Sequence, residues 1–157
     1  MSGTFLVVDD EKSLRLTFEA FLKNAGHEAA SVASYGEAMA CFDARQKCDV
    51  IFSDILLGER TGIDLLRELR SRGMNTPVIM VTGSPNMETA VEAIRLGAFD
   101  YLAKPVTKDV LLRTAERALE FKRLRDENEQ FQAVIEGIFR SVGEAIITVD
   151  REGVVVA

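Results

Sequence analysis

Four short apolar runs, each broken off by a residue able to do chemistry, constrain this chain more than any other feature. FLVV ends on Asp9-Asp10, VIFS on Asp54, VIMV on Thr82 and YLA on Lys104. Runs this short and this apolar read as strands buried on both faces. Segments of helical period lie between them. Residues 12–25 set Leu14, Phe18, Phe21 and Leu22 on one side and stop at Gly26. Ser34-Tyr35-Gly36-Glu37 has capping-box spacing. Thr61-Gly62-Ile63-Asp64 opens a helix that ends near Gly73. Ser84-Pro85 fits an N-cap followed by proline at the first helical position. Thr107 stands where a long final helix begins. With a weaker strand at Glu28–Val32, this makes five strand–helix repeats. Such alternation predicts an α/β fold: a parallel sheet with helices on both faces. The carboxyl ends of its strands share one edge, where ligands bind. Three carboxylates, a hydroxyl and an amine are therefore expected to converge there.

Composition excludes several classes. The chain is 47% hydrophobic and 28% charged, enough to bury a core. A formal net charge of −6 argues against a general nucleic-acid surface. The two cysteines, Cys41 and Cys48, lack a CxxC partner, and His27 is the single histidine, so no zinc constellation exists. Both thiols read as small fillers in a reducing compartment, and His27 as a turn residue after Gly26. No apolar run approaches the ~20 residues of a membrane span, and the amino terminus lacks signal-peptide character. The expected location is the cytoplasm.

The acids narrow the chemistry. A nucleotide site on such a sheet needs a glycine-rich turn after the first strand. Asp9-Asp10-Glu11 stands there instead and would repel a bare polyphosphate. The acids suit a hard dication such as Mg²⁺, which takes oxygen ligands and keeps several waters. Asp10 and Asp54 can supply two of them, with Asp9 acting partly through water. A free oxygen on Asp54 would serve as nucleophile toward phosphorus. Lys104 and Thr82 would cover phosphoryl oxygens, and Gly83 would leave them room. Singly, each of these residues has a duller reading as a helix cap or surface side chain. The joint pattern favours the site.

At these residues the chain resembles the receiver domain of bacterial two-component response regulators, the CheY-like family, over residues 3–122. LVVDDE carries the acidic pair Asp9 and Asp10. VIFSDILLGERTGIDLL carries the phosphoacceptor Asp54 and the glycine Gly62, VIMVTGS the switch threonine Thr82, and YLAKP the lysine Lys104 with Pro105. The resemblance implies a doubly wound, flavodoxin-like five-stranded sheet in the order 2-1-3-4-5. It implies the backbone carbonyl of Leu56 as a further Mg²⁺ ligand, Tyr101 as the switch aromatic, and a Lys104–Pro105 bond that is often cis. One departure stands out: Gly58 occupies a position where the family commonly has proline, and a more mobile loop is expected there.

The function so implied is a phosphorylation-dependent receiver, not an enzyme in its own right. It takes a phosphoryl group on Asp54 from a sensor histidine kinase or phosphotransfer protein. It signals through the face of the fourth helix, fifth strand and fifth helix to an output domain. Two rivals use the same residues. A Mg²⁺-dependent aspartyl phosphohydrolase would want a second Asp beside the nucleophile and a substrate cap, yet Ile55-Leu56 follow Asp54. A phosphorylation-independent binding or dimerisation module would tolerate loss of cluster residues, yet all are present.

Beyond the receiver-like segment, 1–122, residues 123–138 read as an amphipathic linker helix. Phe121, Leu124, Asn128, Phe131, Ile135 and Ile138 recur at spacings of three and four, the a/d rhythm of a coiled coil, with Asn128 at an a position. A homodimer through this C-terminal helix is expected. Residues 139–157 resemble the start of a PAS domain. AIITVDREGVVVA, at 145–157, has the look of a hairpin.

Overall fold

The computed structural model describes residues 2–151, with the side chains of the last helix described as far as Val142. In chain order the elements are β1 (Thr4–Val8), α1 (Lys12–Asn24), β2 (Glu28–Val32), α2 (Tyr35–Asp43), β3 (Val50–Asp54), β4 (Leu56–Leu57), β5 (Arg60–Thr61), α3 (Gly62–Ser71), β6 (Val78–Thr82), α4 (Met87–Arg95), β7 (Asp100–Ala103) and α5 (Lys108–Arg151). The first compact unit is Met1–Lys122, and a second begins at Arg123.

Within the first unit, five strands form one sheet in the order β2-β1-β3-β6-β7, every pairing parallel. Since β6 and β7 are its fourth and fifth strands, this is the expected 2-1-3-4-5 order. Side chains alternate across the pleat and feed two cores. Phe5, Val7, Val50, Phe52, Ile79 and Val81 pack with Phe18 and Leu22 of α1 and with Leu111, Ala115, Ala118 and Leu119 of α5. Their neighbours Leu6, Val8, Ile51, Val78 and Met80 pack on the other face with residues of α2, α3 and α4. The apolar runs of β1, β3 and β6 are therefore explained by burial on both sides, whereas β7, at the sheet edge, is only half-buried, against the expectation for the run YLA.

Local signals set the helix starts. Thr61 and Asp64 form a complete capping box at α3: the Asp64 N–H donates to Thr61 Oγ1 at 3.0 Å and the Thr61 N–H to Asp64 Oδ2 at 2.9 Å. At α2, Ser34 Oγ accepts from the Glu37 N–H at 3.1 Å, while the Glu37 carboxylate accepts from the Ala33 N–H at 2.6 Å, one residue before the cap. The Val110 N–H donates to Thr107 Oγ1 at 3.3 Å, opening α5.

Three expectations are corrected. Helix α4 is capped by Asn86, whose Oδ1 accepts from the Thr89 N–H at 2.9 Å, and not by Ser84. The Ser84 N–H is held by Thr82 Oγ1 at 3.0 Å, which keeps Ser84 and Pro85 in the loop. Gly58 stands in a defined turn where the sequence suggested only a loop: β4 and β5 pair antiparallel around Gly58-Glu59. Gly58 has φ +82°, while Glu59 is not among the positive-φ residues, as a two-residue II′ hairpin requires. Third, α5 continues through Arg151, where the sequence suggested the first strand of a hairpin. The rest of that hairpin, 152–157, lies outside the described residues.

His27 is buried, its Nδ1 accepting from the Gly3 N–H at 3.2 Å and its ring edge-on to Phe5, which makes it structural. Both cysteines are free thiols. Burial pushes the Cys48 thiol up to about 12, so it is inert as a nucleophile. No helix among the described residues is long and apolar enough to cross a membrane.

Candidate functional site

Sheet register gathers the chemistry at one edge. Val8 pairs with Ser53, Asp54 with Val81, and Thr82 with Ala103. The next residues along β1 and β7 are Asp9 and Lys104, so the four strand ends stand side by side. Asp9 is 1% exposed and Asp54 7%, while Asp10 lies in the open. One carboxylate oxygen from each of the three lies within 4.8 Å of the others. Lys104 Nζ donates to Asp9 Oδ2 and Asp54 Oδ2, each at 3.0 Å. The Lys104–Pro105 bond is cis.

Backbone groups hold the acids in place. Asp9 Oδ1 accepts from the Glu11 N–H at 2.8 Å, and Asp54 Oδ1 from the Leu56 N–H at 3.2 Å. Arg15, one turn into α1, donates from Nη1 to the Asp9 carbonyl at 2.8 Å. The Ser53 hydroxyl donates to the Asp54 carbonyl at 2.9 Å. Gly62 enters here for a steric reason. A Cβ at that position would lie 2.2 Å from the Asp54 carbonyl oxygen and 2.9 Å from Ser53 Oγ, so any side chain would push α3 away from the end of β3.

Burial raises the Asp54 carboxyl above its ordinary range, and the nearby Asp9 charge adds to this. Hydrogen bonds from Lys104 and the Leu56 N–H pull the other way and do not prevail. Burial opposes the charge on Lys104, yet its bonds to Asp9 and Asp54 win and raise its pKa. The lysine thus stays cationic between two acids. The donor set consists of hard carboxylate oxygens, one of them solvent-facing, and fits a hard dication.

The other expected residues are placed as follows. Thr82 is buried at the end of β6. Gly83 is exposed, and a Cβ there would meet Lys104 Cδ at 3.9 Å, so it lies beside the lysine stem. Leu56 turns a 60% exposed side chain outward while its N–H holds Asp54. Tyr101 packs partly buried against the α2–α3–α4 core. Its hydroxyl lies 2.9 Å from Thr89 Oγ1 and accepts from the Asn86 N–H at 3.3 Å. Tyr101 is thereby tied to the first turn of α4 and not to the carboxylates. Arg15, Ser53 and Thr89 were not foreseen. Only Ser53 carried a signal, as a small polar residue inside an otherwise apolar strand.

Comparison with known proteins agrees with this geometry. The family described as "Response regulator receiver domain" matches residues 5–116, well over half of the chain. The alginate biosynthesis transcriptional regulatory protein AlgB of Pseudomonas aeruginosa is 38% identical over 122 residues, covering 78% of this chain and 27% of its own length. The nitrogen assimilation regulatory protein NtrX of Azorhizobium caulinodans is 35% identical over 160 residues, 98% of this chain and 35% of its own. The chain thus spans about a third of these relatives. A crystal structure of NtrX from Brucella abortus superposes with a TM-score of 0.77 at 38% identity, covering 83% of this chain and 30% of that one. A CheY-like receiver domain protein from Methanospirillum hungatei superposes at 0.75 with 26% identity, covering 80% and 99%. These relatives are response regulators of two-component systems. With the acidic crevice and the sheet order, they establish that this chain belongs to the response regulator receiver domain family.

Proposed function

We propose that this chain receives a phosphoryl group on Asp54 from the phosphohistidine of a sensor kinase or phosphotransfer protein. The observation that carries the reading is the single lysine bridging Asp9 and Asp54 at 3.0 Å within a cluster of three carboxylates. A carboxylate oxygen of Asp54 forms the new O–P bond, the P–N bond to histidine breaks, and its electron pair returns to the imidazole. Ionised Asp54 is the nucleophile, held through Oδ1 by the Leu56 N–H. Lys104 keeps its proton and neutralises phosphoryl charge. Thr82 offers a hydroxyl to a phosphoryl oxygen, and Gly83 leaves the approach open. Asp9, Asp10, Asp54 and the Leu56 carbonyl would hold Mg²⁺. When bound, Mg²⁺ supplies charge neutralisation and orientation of the phosphoryl oxygens.

The signal is read out by two-state coupling. Moving Thr82 toward a phosphorylated Asp54 takes its hydroxyl from the Ser84 N–H, and with it the loop leading to Asn86, Thr89 and Tyr101. Output then passes through α4, β7 and α5 to a downstream domain of a longer protein. The acidic surface and the family suit a cytoplasmic location.

Incubation with acetyl phosphate and Mg²⁺, followed by intact mass measurement, tests the chemistry. The expected result is the gain of one phosphoryl group, lost in Asp54→Asn and lost on removal of Mg²⁺ with a chelator. Phosphorylation that persists in Asp54→Asn defeats the assignment.

A further inference from the structure

Past Lys122, α5 carries large apolar side chains that stay about half exposed or more. Leu124 is 50% exposed, Phe131 65%, Ile138 54% and Val142 48%. Together with Asn128 and Ile135 they alternate at three and four, putting Leu124, Phe131 and Ile138 at d and Asn128, Ile135 and Val142 at a. Phe121, which the sequence placed first in this stripe, lies with its ring centroid 5.4 Å from that of Phe99. The seam therefore begins at Leu124.

We propose that residues 124–142 pair with the same residues of a second copy of this chain, parallel and in register. Three observations select that occupant. First, Asn128 is the second of the six seam positions. A second copy in parallel register puts an amide opposite an amide; an antiparallel or shifted copy sets it against Leu, Phe or Ile and buries it unsatisfied. Second, Val134 and Phe139 are 60% and 70% exposed and lie off the a/d seam. In the parallel register Val134 is at g and Phe139 at e, so each meets the other's counterpart on the partner helix. The exposure of two further apolar side chains is thereby explained by the same arrangement. Third, the remaining g-to-e relation within the seam is compatible: Glu127 faces the partner's uncharged Gln132, with no like charges opposed. Outward positions such as Glu129, Glu136 and Arg140 are charged and exposed.

The pairing is independent of phosphoryl chemistry, so its failure leaves Asp54 untouched and the reverse also holds. Sedimentation equilibrium of the whole chain is expected to give twice the 17.3 kDa of one copy. Ile135→Glu should return it to one copy while circular dichroism of the receiver fold is kept. Orientation is read separately. In a chain with Cys41→Ser and Cys48→Ser, oxidation with diamide should link Asn128→Cys to its partner quickly and leave Ala133→Cys, on the opposite side of the helix, mostly unlinked. A single-copy mass at high micromolar concentration overturns the proposal. So does a dimer whose mass survives Ile135→Glu, or one in which the two cysteine variants link equally fast, since either places the contact elsewhere.

Discussion

Asp54 does two things that conflict. It is buried and pressed by Asp9, which disfavours its charge, yet under the proposed function it must be charged to attack phosphorus. Because its folded pKa is raised above the unfolded value, the folded state holds the proton more tightly, and stability falls as pH rises from the ordinary carboxylate range through the raised pKa. Asp54→Asn removes this term. The variant, without divalent cation, is expected to gain thermal stability over the natural chain as pH rises through that window, with the difference closing at lower pH. Melting scans across pH check it, and a difference that does not vary with pH refutes the assignment. Added Mg²⁺ should reverse the order by stabilising the natural chain more than the variant. Lys104→Met is the complementary case. Its ammonium contacts two buried acids, so its loss is expected to cost about 2 kcal/mol by leaving charge uncompensated. Denaturant unfolding at neutral pH should show the cost shrinking when Mg²⁺ is added.

The elements show what a sequence exposes and what it hides. The strands ending in Asp9, Asp54 and Thr82 were legible because each is an apolar run buried on two faces with a polar stop; the strand before Lys104 is a half-buried edge strand, legible from its place in the alternation rather than from burial. The β4–β5 hairpin was not legible. Two residues per strand carry no periodicity, and its one signal, Gly58, passed for looseness when it marks a turn with φ +82°. Proline, which the family resemblance led one to expect at that position, requires φ near −65°. Gly58→Pro is therefore expected to destabilise this chain by about 2 kcal/mol, measured by denaturant unfolding. Gly62→Ala should cost at least as much, because its Cβ would strike the Asp54 carbonyl, and it should also slow acetyl phosphate uptake. The cap at α4 was missed because Ser84-Pro85 and Asn86 are both good starts, and only tertiary contacts of Thr82 and Tyr101 choose between them. The β-branched run after Ala145 suggested strand. Yet β-branching lowers helix propensity by only about half a kcal/mol per residue, and a lone hairpin is marginal in water.

At the scale of the molecule, the two packed faces of the sheet and the start of α5 all fall within Met1–Lys122. A fragment ending at Lys122 is expected to unfold in a single cooperative transition and to take up acetyl phosphate as the whole chain does. A broadened transition by circular dichroism would show that the receiver depends on the rest of α5. Charge is unevenly spread over this body. The three clustered acids and Lys104 sum to two net negative charges, a third of the chain's formal −6, held in one crevice. A dication brings that crevice to electroneutrality, whereas a monovalent ion leaves it anionic and repellent to an incoming phosphodonor. Discrimination by valence thus comes before discrimination by ionic radius: Mn²⁺ should substitute for Mg²⁺, and K⁺ at any concentration should not.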